Sequence, residues 1–420
     1  MQHLTVYGGH RLNGSLAVHG AKNSALPILA ATLLCRGECA IERCPNLSDV
    51  EAAMVILRKL GCEVRREGTT VFVRADHAVN APLDYAQTGK MRASVNFIGA
   101  MLGRFGSASV AQPGGCVLGQ RPIDYHLSAL EAMGAAVSDG ENGCELHWSK
   151  PCDCEWTLPF PSVGATENVL LAAVSAPISV TLHGAAQEPE ICDLCRFLQA
   201  AGADISGVGT KDLHIRGGST LRGVRHTLIP DRIETATYLA ACAACGGSIT
   251  LQQTAPQTLA PVLALLECAG CTVSTSDTSI CLTCEGRLSG FGTVVSDAYP
   301  AFPTDAQAPL MAAATLADGI SIFEERVFPE RFRHAAQLKR FGAAITLQNS
   351  AAIVQGVSHL HGAEAKATDL RGGAGVLIAA LAAKGESILH DTFLLDRGYD
   401  GWMQHWIDLG AEIFYETDEE

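Results

Sequence analysis

A cassette of glycine, a small residue and, two positions further on, a β-branched residue recurs six times along this chain. The copies are Gly61-Cys62-Glu63-Val64, Gly134-Ala135-Ala136-Val137, Gly202-Ala203-Asp204-Ile205, Gly270-Cys271-Thr272-Val273, Gly342-Ala343-Ala344-Ile345 and Gly410-Ala411-Glu412-Ile413. Successive glycines stand 73, 68, 68, 72 and 68 residues apart, and 420 residues over six copies average 70. A near-constant period of that length marks an internally repeated architecture, which must be settled before any motif is read.

The cassette is the end of a helix. Glycine enters the left-handed region at little steric cost and turns the chain, and the β-branched residue opens a strand. The stretches before it carry helical spacing, as in Ala53, Met54, Leu57 and Leu60, where Ser48-Asp49-Val50-Glu51 reads as a capping box. Pro189 suits a first-turn position ahead of Ile191, Leu194, Cys195 and Leu198. A second glycine precedes most cassettes and leads into a short strand, at Gly37, Gly106, Gly247, Gly319 and Gly385; the third copy has Ala176-Pro177 instead. Alanine-rich helices come before that marker and a further strand follows each cassette. Each copy therefore reads strand–helix–strand–helix–strand–strand.

The sixth copy runs out of chain ten residues after Gly410, while the N-terminus has a strand to spare at Leu4–Tyr7. That strand is expected to complete the last copy. Six α/β copies exceed one ordinary core, so three and three is the natural division. One domain is expected over 22–229 and the other over 1–21 with 230–420.

With 48% hydrophobic and 18% charged residues, the composition is that of a globular protein. The longest apolar run, around Leu26–Cys35, is too short for a bilayer and contains Pro27. No secretory signal is evident near Met1, and a net charge of −14 argues against generic binding to nucleic acid or anionic membranes. Among the 16 cysteines are four CxxC pairs, 192/195, 242/245, 268/271 and 281/284, the last two at a zinc-ribbon spacing. They fall in helices, at a helix end and in a strand, without a nearby histidine. Buried, reduced cytoplasmic thiols are the better reading, and no metal or cofactor is expected.

The repeat also shows where polar residues break the pattern. The junctions between leading strand and first helix read Gly20-Ala21-Lys22-Asn23, Lys90-Met91-Arg92-Ala93, Pro161-Ser162-Val163-Gly164, Pro230-Asp231-Arg232, Pro303-Thr304-Asp305 and Asp369-Leu370-Arg371. Aspartate there is ordinary capping, but lysine and arginine oppose the helix dipole and call for a bound anion. The second junctions add Cys116 with Arg121, Glu188 with Glu190, Arg331 with Arg333, and Asp396 with Arg397. Taken singly, each arginine fits a surface salt bridge. Lys22, Arg92, Arg121, Arg232, Arg331, Arg371 and Arg397 as a set predict a basic cleft between the halves, suited to phosphates and carboxylates. Residues 112–121 carry three glycines and a proline, a mobile loop that brings Cys116 close to Arg121.

These motifs, with Pro113-Gly114-Gly115-Cys116, Arg121-Pro122-Ile123-Asp124, Glu188-Pro189-Glu190, Arg331-Phe332 and Asp396-Arg397-Gly398-Tyr399, resemble those of the UDP-N-acetylglucosamine enolpyruvyl transferases along the whole chain. The resemblance implies the enolpyruvyl transferase fold, two inside-out α/β barrel domains of three repeated units each, with the active site in the interdomain cleft. It implies transfer of enolpyruvate from phosphoenolpyruvate to the 3-hydroxyl of UDP-N-acetylglucosamine, the committed step of peptidoglycan synthesis, and with it a link to cell shape and division.

By the matching motifs, the catalytic residues are Cys116, Asp305, Lys22 and Arg397, with Cys116 the loop acid and fosfomycin target. Phosphoenolpyruvate is assigned to Lys22, Asn23, Arg92, Arg121, Arg331, Asp369, Arg371 and Arg397. The nucleotide sugar is assigned to Asn23, Arg92, Arg121, Pro122, Ile123, Asp124, Tyr125, Ser162, Val163, Gly164, Asp305 and Val327. Ser48 and Phe160 stand where some relatives have lysine, and Ala306 and Pro309 replace Met and Gln. The sister enzyme using shikimate 3-phosphate lacks the Gly-Gly-Cys loop. A catalytically weak paralogue with a regulatory role is the alternative from another class.

Overall fold

The structure, a computed structural model, describes residues 2–114, 123–140, 143–328 and 330–417. Cys116, Arg121 and Pro122 lie outside them. The backbone divides into two compact units, one within residues 20–229 and the other comprising residues 1–19 with 230–420. They are called here the middle and the terminal unit.

All six cassette glycines adopt positive φ, from +80° at Gly61 to +114° at Gly202. The β-branched residue behind each of them lies on a strand. The repeated cassette is thus a repeated helix stop.

Within the middle unit three helices form the interior: α1 (Lys22–Thr32), α2 (Asn96–Phe105) and α3 (Val163–Ala173). The terminal unit has the equivalents α4 (Arg232–Cys245), α5 (Gln307–Ala314) and α6 (Leu370–Ala382). Every residue of α1 except Asn23 is buried, as is every residue of α5. Helices apolar all round belong inside a core, and these are short and rich in alanine, so they approach one another closely. A Cβ added to Gly99 would come within 2.5 Å of the Asn168 carbonyl, and one added to Gly375 within 2.7 Å of the Ala308 carbonyl. The same glycine contact therefore joins α2 to α3 and α6 to α5. The second helices of the copies, such as Ser48–Lys59 and Pro189–Ala201, are amphipathic and bury one face.

Each unit is walled by three small sheets. In most copies the leading strand lies parallel to the strand after the interior helix, as Cys154–Thr157 does beside Ser179–His183. The second copy reduces this to one bridge, Leu83 to Val110. The first and fourth copies exchange leading strands. Arg225–Thr227, which leads into α4, pairs with Glu38–Glu42, while Leu12–Ala17, which leads into α1, pairs with Gly247–Gln252. The N-terminal strand Gln2–Gly8 enters the last sheet between Gly385–His390 and Glu412–Thr417, with Leu4 opposite Leu389 and Val6 opposite Ile413. It completes the sixth copy, as its spare position in the sequence suggested.

One local expectation fails. The helix Ser48–Lys59 has Leu47 at its cap position and no side-chain capping bond. Glu51 accepts from Arg58 at 2.8 Å, and Asp49 turns to Lys22 at 2.9 Å. Glu51 is thereby drawn to Arg58 and not back to the helix start. Among the described residues no helix is long and apolar enough to cross a membrane. Every described cysteine is a free thiol, and among the described residues no CxxC pair joins a cluster with metal-binding spacing.

Candidate active site

The terminal unit concentrates its charge around one carboxylate. Asp305 lies in the 3-10 turn Thr304–Ala306 that opens α5. It accepts from Arg331 Nη2 at 2.6 Å and from Arg371 Nε at 3.3 Å. Both guanidinium groups are buried to 4% exposure, whereas Asp305 keeps 25%, so the carboxylate is the solvent-facing member. Arg331 also donates to Thr304 Oγ1 at 2.9 Å, and Thr304 in turn donates to Glu325 Oε2 at 2.8 Å. Glu325 Oε1 accepts from the backbone N–H groups of Val327 and Phe328. The chain from Asp305 to Val327 is thereby tied together side chain by side chain.

Arg371 sits in the first turn of α6, against the dipole. Burial alone would lower its pKa, but Tyr399, Asp305 and Asp231 more than offset this, and the guanidinium holds its proton more tightly than usual. Tyr399 lies under it, the ring centroid 5.2 Å from the guanidinium carbon, and is hydrogen-bonded to Thr237 at 2.9 Å. Two donors of the pair, Arg331 Nε and Arg371 Nη1, are buried with no hydrogen-bond partner among the described residues. A buried charged donor left open costs free energy unless something arrives to accept from it. His334 Nδ1 lies 3.1 Å from the Arg331 carbonyl; burial, aided by the Arg331 charge and opposed by Asp369, pushes its pKa down to about 4. It is neutral and adds no charge to the cluster.

The Asp369 carboxylate is engaged at the start of the helix that carries Arg371. Its Oδ1 caps α6 by accepting from the N–H groups of Arg371 and Gly372, and Thr368 donates to its other oxygen. Asp231 caps α4 in the same way, through Ile233 and Glu234. Arg232 is buried beside the Tyr299 ring, and Arg397 closes the 3-10 turn Thr392–Arg397. Pro309 stands in the first turn of α5, where a missing N–H removes no helical bond.

In the middle unit, Lys22 and Asn23 open α1, and Lys22 is buried against Asp49. Arg92 begins the 3-10 turn Arg92–Val95 ahead of α2. Ile123 precedes the helix Asp124–Ala132, whose first turn holds Asp124 and Tyr125. Ser162 caps α3 by accepting from the Ala165 N–H, followed by Val163 and Gly164. His126 and Asn168 knit these helix starts together. Asn168 Nδ2 donates to His126 Nδ1 at 2.8 Å, and its Oδ1 accepts from the Gly99 N–H at 2.7 Å. A Cβ on Gly164 would stand 2.8 Å from His126 Cε1, so glycine is required for the approach. Burial, helped by the Arg92 charge, pushes the His126 pKa down to about 3 and keeps the ring neutral.

A further carboxyl, Glu167, lies on α3 and accepts from Asn96 at 2.8 Å. Burial, reinforced by Glu190 and Glu188 against the Asn96 bond, pushes its pKa up to about 8. Asn96 Oδ1 is buried with no partner among the described residues. Turning the amide over would let that oxygen accept the proton of a neutral Glu167.

The sequence analysis missed Asp49, Thr304 as a brace, Glu325, His126, Asn168 and Glu167. Of these only Thr304 stands at a charged junction, beside Asp305, and Asp49 lies next to Ser48; the others carried no such signal.

Residues 6–406 match the family model of EPSP synthase (3-phosphoshikimate 1-carboxyvinyltransferase). The UDP-N-acetylglucosamine 1-carboxyvinyltransferase of Dichelobacter nodosus is 41% identical over 414 residues, covering 98% of this chain and 99% of the relative. That of Cellvibrio japonicus is 41% identical over 417 residues, again with 98% and 99% covered. Among solved structures, the enolpyruvyl transferase NikO from Streptomyces tendae matches with a TM-score of 0.91 at 25% identity, over 100% of this chain and 99% of that one. An EPSP synthase from Acinetobacter baumannii, 18% identical with a TM-score of 0.76 over 99% of this chain and 100% of that one, shares the fold.

Proposed function

Because this chain belongs to the UDP-N-acetylglucosamine 1-carboxyvinyltransferase family, within the broader family of EPSP synthase, we propose that it transfers enolpyruvate from phosphoenolpyruvate to the 3-hydroxyl of UDP-N-acetylglucosamine and releases phosphate. The observation that carries the reading is the Asp305–Arg331–Arg371 cluster with its two unfilled guanidinium donors. Planar guanidinium forks suit a small carboxylate or phosphate, and a carboxylate beside them suits a hydroxyl that must lose a proton.

The chemistry is addition followed by elimination. A proton passes to the methylene carbon of phosphoenolpyruvate, and the 3-hydroxyl oxygen attacks the adjacent carbon as its own proton leaves. The tetrahedral ketal then loses a methyl proton and phosphate, restoring the double bond. We assign the first proton to Cys116. Asp305 receives or orients the hydroxyl proton. Arg331 and Arg371 hold the substrate carboxylate, and an anion arriving on them loosens their hold on Asp305. Lys22, Arg121 and Arg397 take the phosphate with Arg92 in support, and Asn23 takes the sugar. Arg121–Tyr125, Ser162–Gly164 and Val327 take the uridine diphosphate. Fixed donors aimed at developing charge supply most of the rate. The reading implies a cytoplasmic enzyme tied to cell-wall growth and division.

Phosphate release that requires both substrates tests it. Turnover with shikimate 3-phosphate as acceptor, or none with either, overturns it. The assignment of Cys116 has its own check, because a phosphonate epoxide such as fosfomycin, held by the same cations, should alkylate that thiol alone. Peptide mass spectrometry showing label spread over several cysteines would remove Cys116 from the mechanism.

A further inference from the structure

The terminal unit contains a second polar cluster that the proposed chemistry does not use. His19, Glu234 and His405 bring one ligand atom each to within 4.8 Å of one another. His19 Nδ1 is 3.0 Å and His405 Nδ1 is 3.9 Å from the same oxygen, Glu234 Oε1. Glu234 is buried, while both imidazoles are half-buried and their rings stack at 5.1 Å. Glu234 is held from behind, because its other oxygen accepts from the His19 N–H at 2.9 Å. Behind His19, on the far side of the ring, Asp400 Oδ2 lies 3.8 Å from Nε2.

We infer that His19, Glu234 and His405 form a site for one divalent transition-metal ion, with Asp400 as the carboxylate that orients His19. Two imidazoles and a carboxylate are a donor set suited to zinc and its neighbours. A carboxylate on the second nitrogen of a ligating histidine fixes its tautomer and raises its basicity. Metal–ligand bonds of about 2.0–2.2 Å bring neighbouring donors to roughly 3.0–3.5 Å. The 3.0 Å pair already meets this, and the 3.9 Å pair closes with a small shift. His405 must also turn out of the stack and exchange the Tyr238 hydroxyl, 2.9 Å from its Nδ1, for the ion.

The place of the site gives it a consequence. The chain passes between the units at His19–Gly20 and at Ile229–Pro230. The His19 carbonyl accepts from the Asp231 N–H at 2.9 Å, so His19 already braces one crossing against the other. An ion on His19 and Glu234 would tighten that brace inside the terminal unit and stabilise it by mass action.

A proton competes for the same groups. Burial pulls the His19 pKa down, but Glu234, Asp400 and Asp231 raise it overall. The His405 pKa is lowered by burial and by His19, against Asp400 and Asp408. Burial raises that of Glu234 against the pull of His19, with Asp231 adding to the rise.

The test uses the full chain, stripped with a chelator and titrated with Co²⁺, read by its visible spectrum and by X-ray absorption. One ion per chain with nitrogen and oxygen ligands only is expected. Affinity should drop at least ~10-fold in His19→Gln and in His405→Gln, and roughly 10-fold in Asp400→Asn. His405→Gln lies on a half-buried helix face and keeps the test decisive if His19→Gln does not fold. Sulfur ligation, binding unchanged in the variants, or no saturable binding up to about 1 mM ion would each overturn the site.

Discussion

The middle and terminal units use one scaffold, with polar residues at the same helix starts, yet they settle buried polarity in opposite ways. At its candidate site the terminal unit keeps buried charge paired, with Asp305 between Arg331 and Arg371 and a neutral His334 beside them. The middle unit pairs Lys22 with Asp49 but holds two other buried groups, His126 and Glu167, neutral. His126 is pushed down to about 3 and Glu167 up to about 8. Charge held ready in a buried place suits the binding of a reacting anion. Neutral hydrogen-bonded groups instead fix helix starts in register without a desolvated charge. The contrast supports the proposal that the terminal cluster carries the chemistry, while His126, Asn168 and Glu167 fix the helix starts of the middle unit.

The sharpest way to break that contrast is Asp305→Ala. Turnover should fall by roughly 10²–10⁴-fold, while the variant still binds UDP-N-acetylglucosamine. Near-normal turnover in a steady-state assay would remove Asp305 from the reaction and leave the arginine pair as a structural knot. Next in size is Arg331→Lys, which keeps the charge and loses the fork. The KM for phosphoenolpyruvate should rise by roughly 10-fold or more, the worth of one charge-assisted hydrogen bond. The KM for the nucleotide sugar should stay close to that of the parent. Equal rises for both substrates would argue against a carboxylate-holding role.

Glu167 tests the neutral half of the contrast. Its folded pKa, about 8, lies above the reference value of 4.5, so the folded state keeps a proton that the unfolded chain gives up. The stabilisation is fully present below about 4.5 and is lost as the pH rises through about 8, at up to ~1.4 kcal/mol per pH unit within that window. Glu167→Gln should remove this slope from chemical-denaturation curves and be the more stable protein at alkaline pH. If both proteins lose stability in parallel between pH 5 and pH 8, Glu167 is not the protonated group.

Sequence and structure part company along the same line. The repeat was legible because helix stops are local, and glycine at a left-handed turn has few substitutes. The return of Gln2–Gly8 to the last sheet could also be inferred, since the sixth copy ends one strand short. The charged junctions pointed to Asp305, Arg331 and Arg371, because an arginine at a helix start has no local reason to be there. Asp49 lay inside the run Ser48-Asp49-Val50-Glu51, read as a capping box through its serine and glutamate, and had no role of its own there. Its partner Lys22 belongs to another helix and became visible only once the core was assembled. Asn168, Glu167 and the His19–Glu234–His405 cluster are long-range for the same reason. Their residues are dispersed along the sequence, and no spacing rule joins positions 19, 234 and 405.

The smallest effect separates the two units at the level of the cassette itself. Gly270 of the terminal unit has φ +106°, and an added Cβ would meet nothing within 4 Å. Gly134 of the middle unit has φ +96°, and its Cβ would fall 2.0 Å from the Lys150 carbonyl oxygen. Gly270→Ala therefore isolates the backbone cost of positive φ, about 1–2 kcal/mol. Gly134→Ala adds a clash with backbone that cannot rotate away, because Ser149 and Lys150 both donate to the Gly134 carbonyl and hold that segment against it. Denaturant titrations should show a modest loss for Gly270→Ala and a clearly larger one for Gly134→Ala. Equal losses would mean that the cassettes are held by conformation alone, and that close packing at the second copy is incidental.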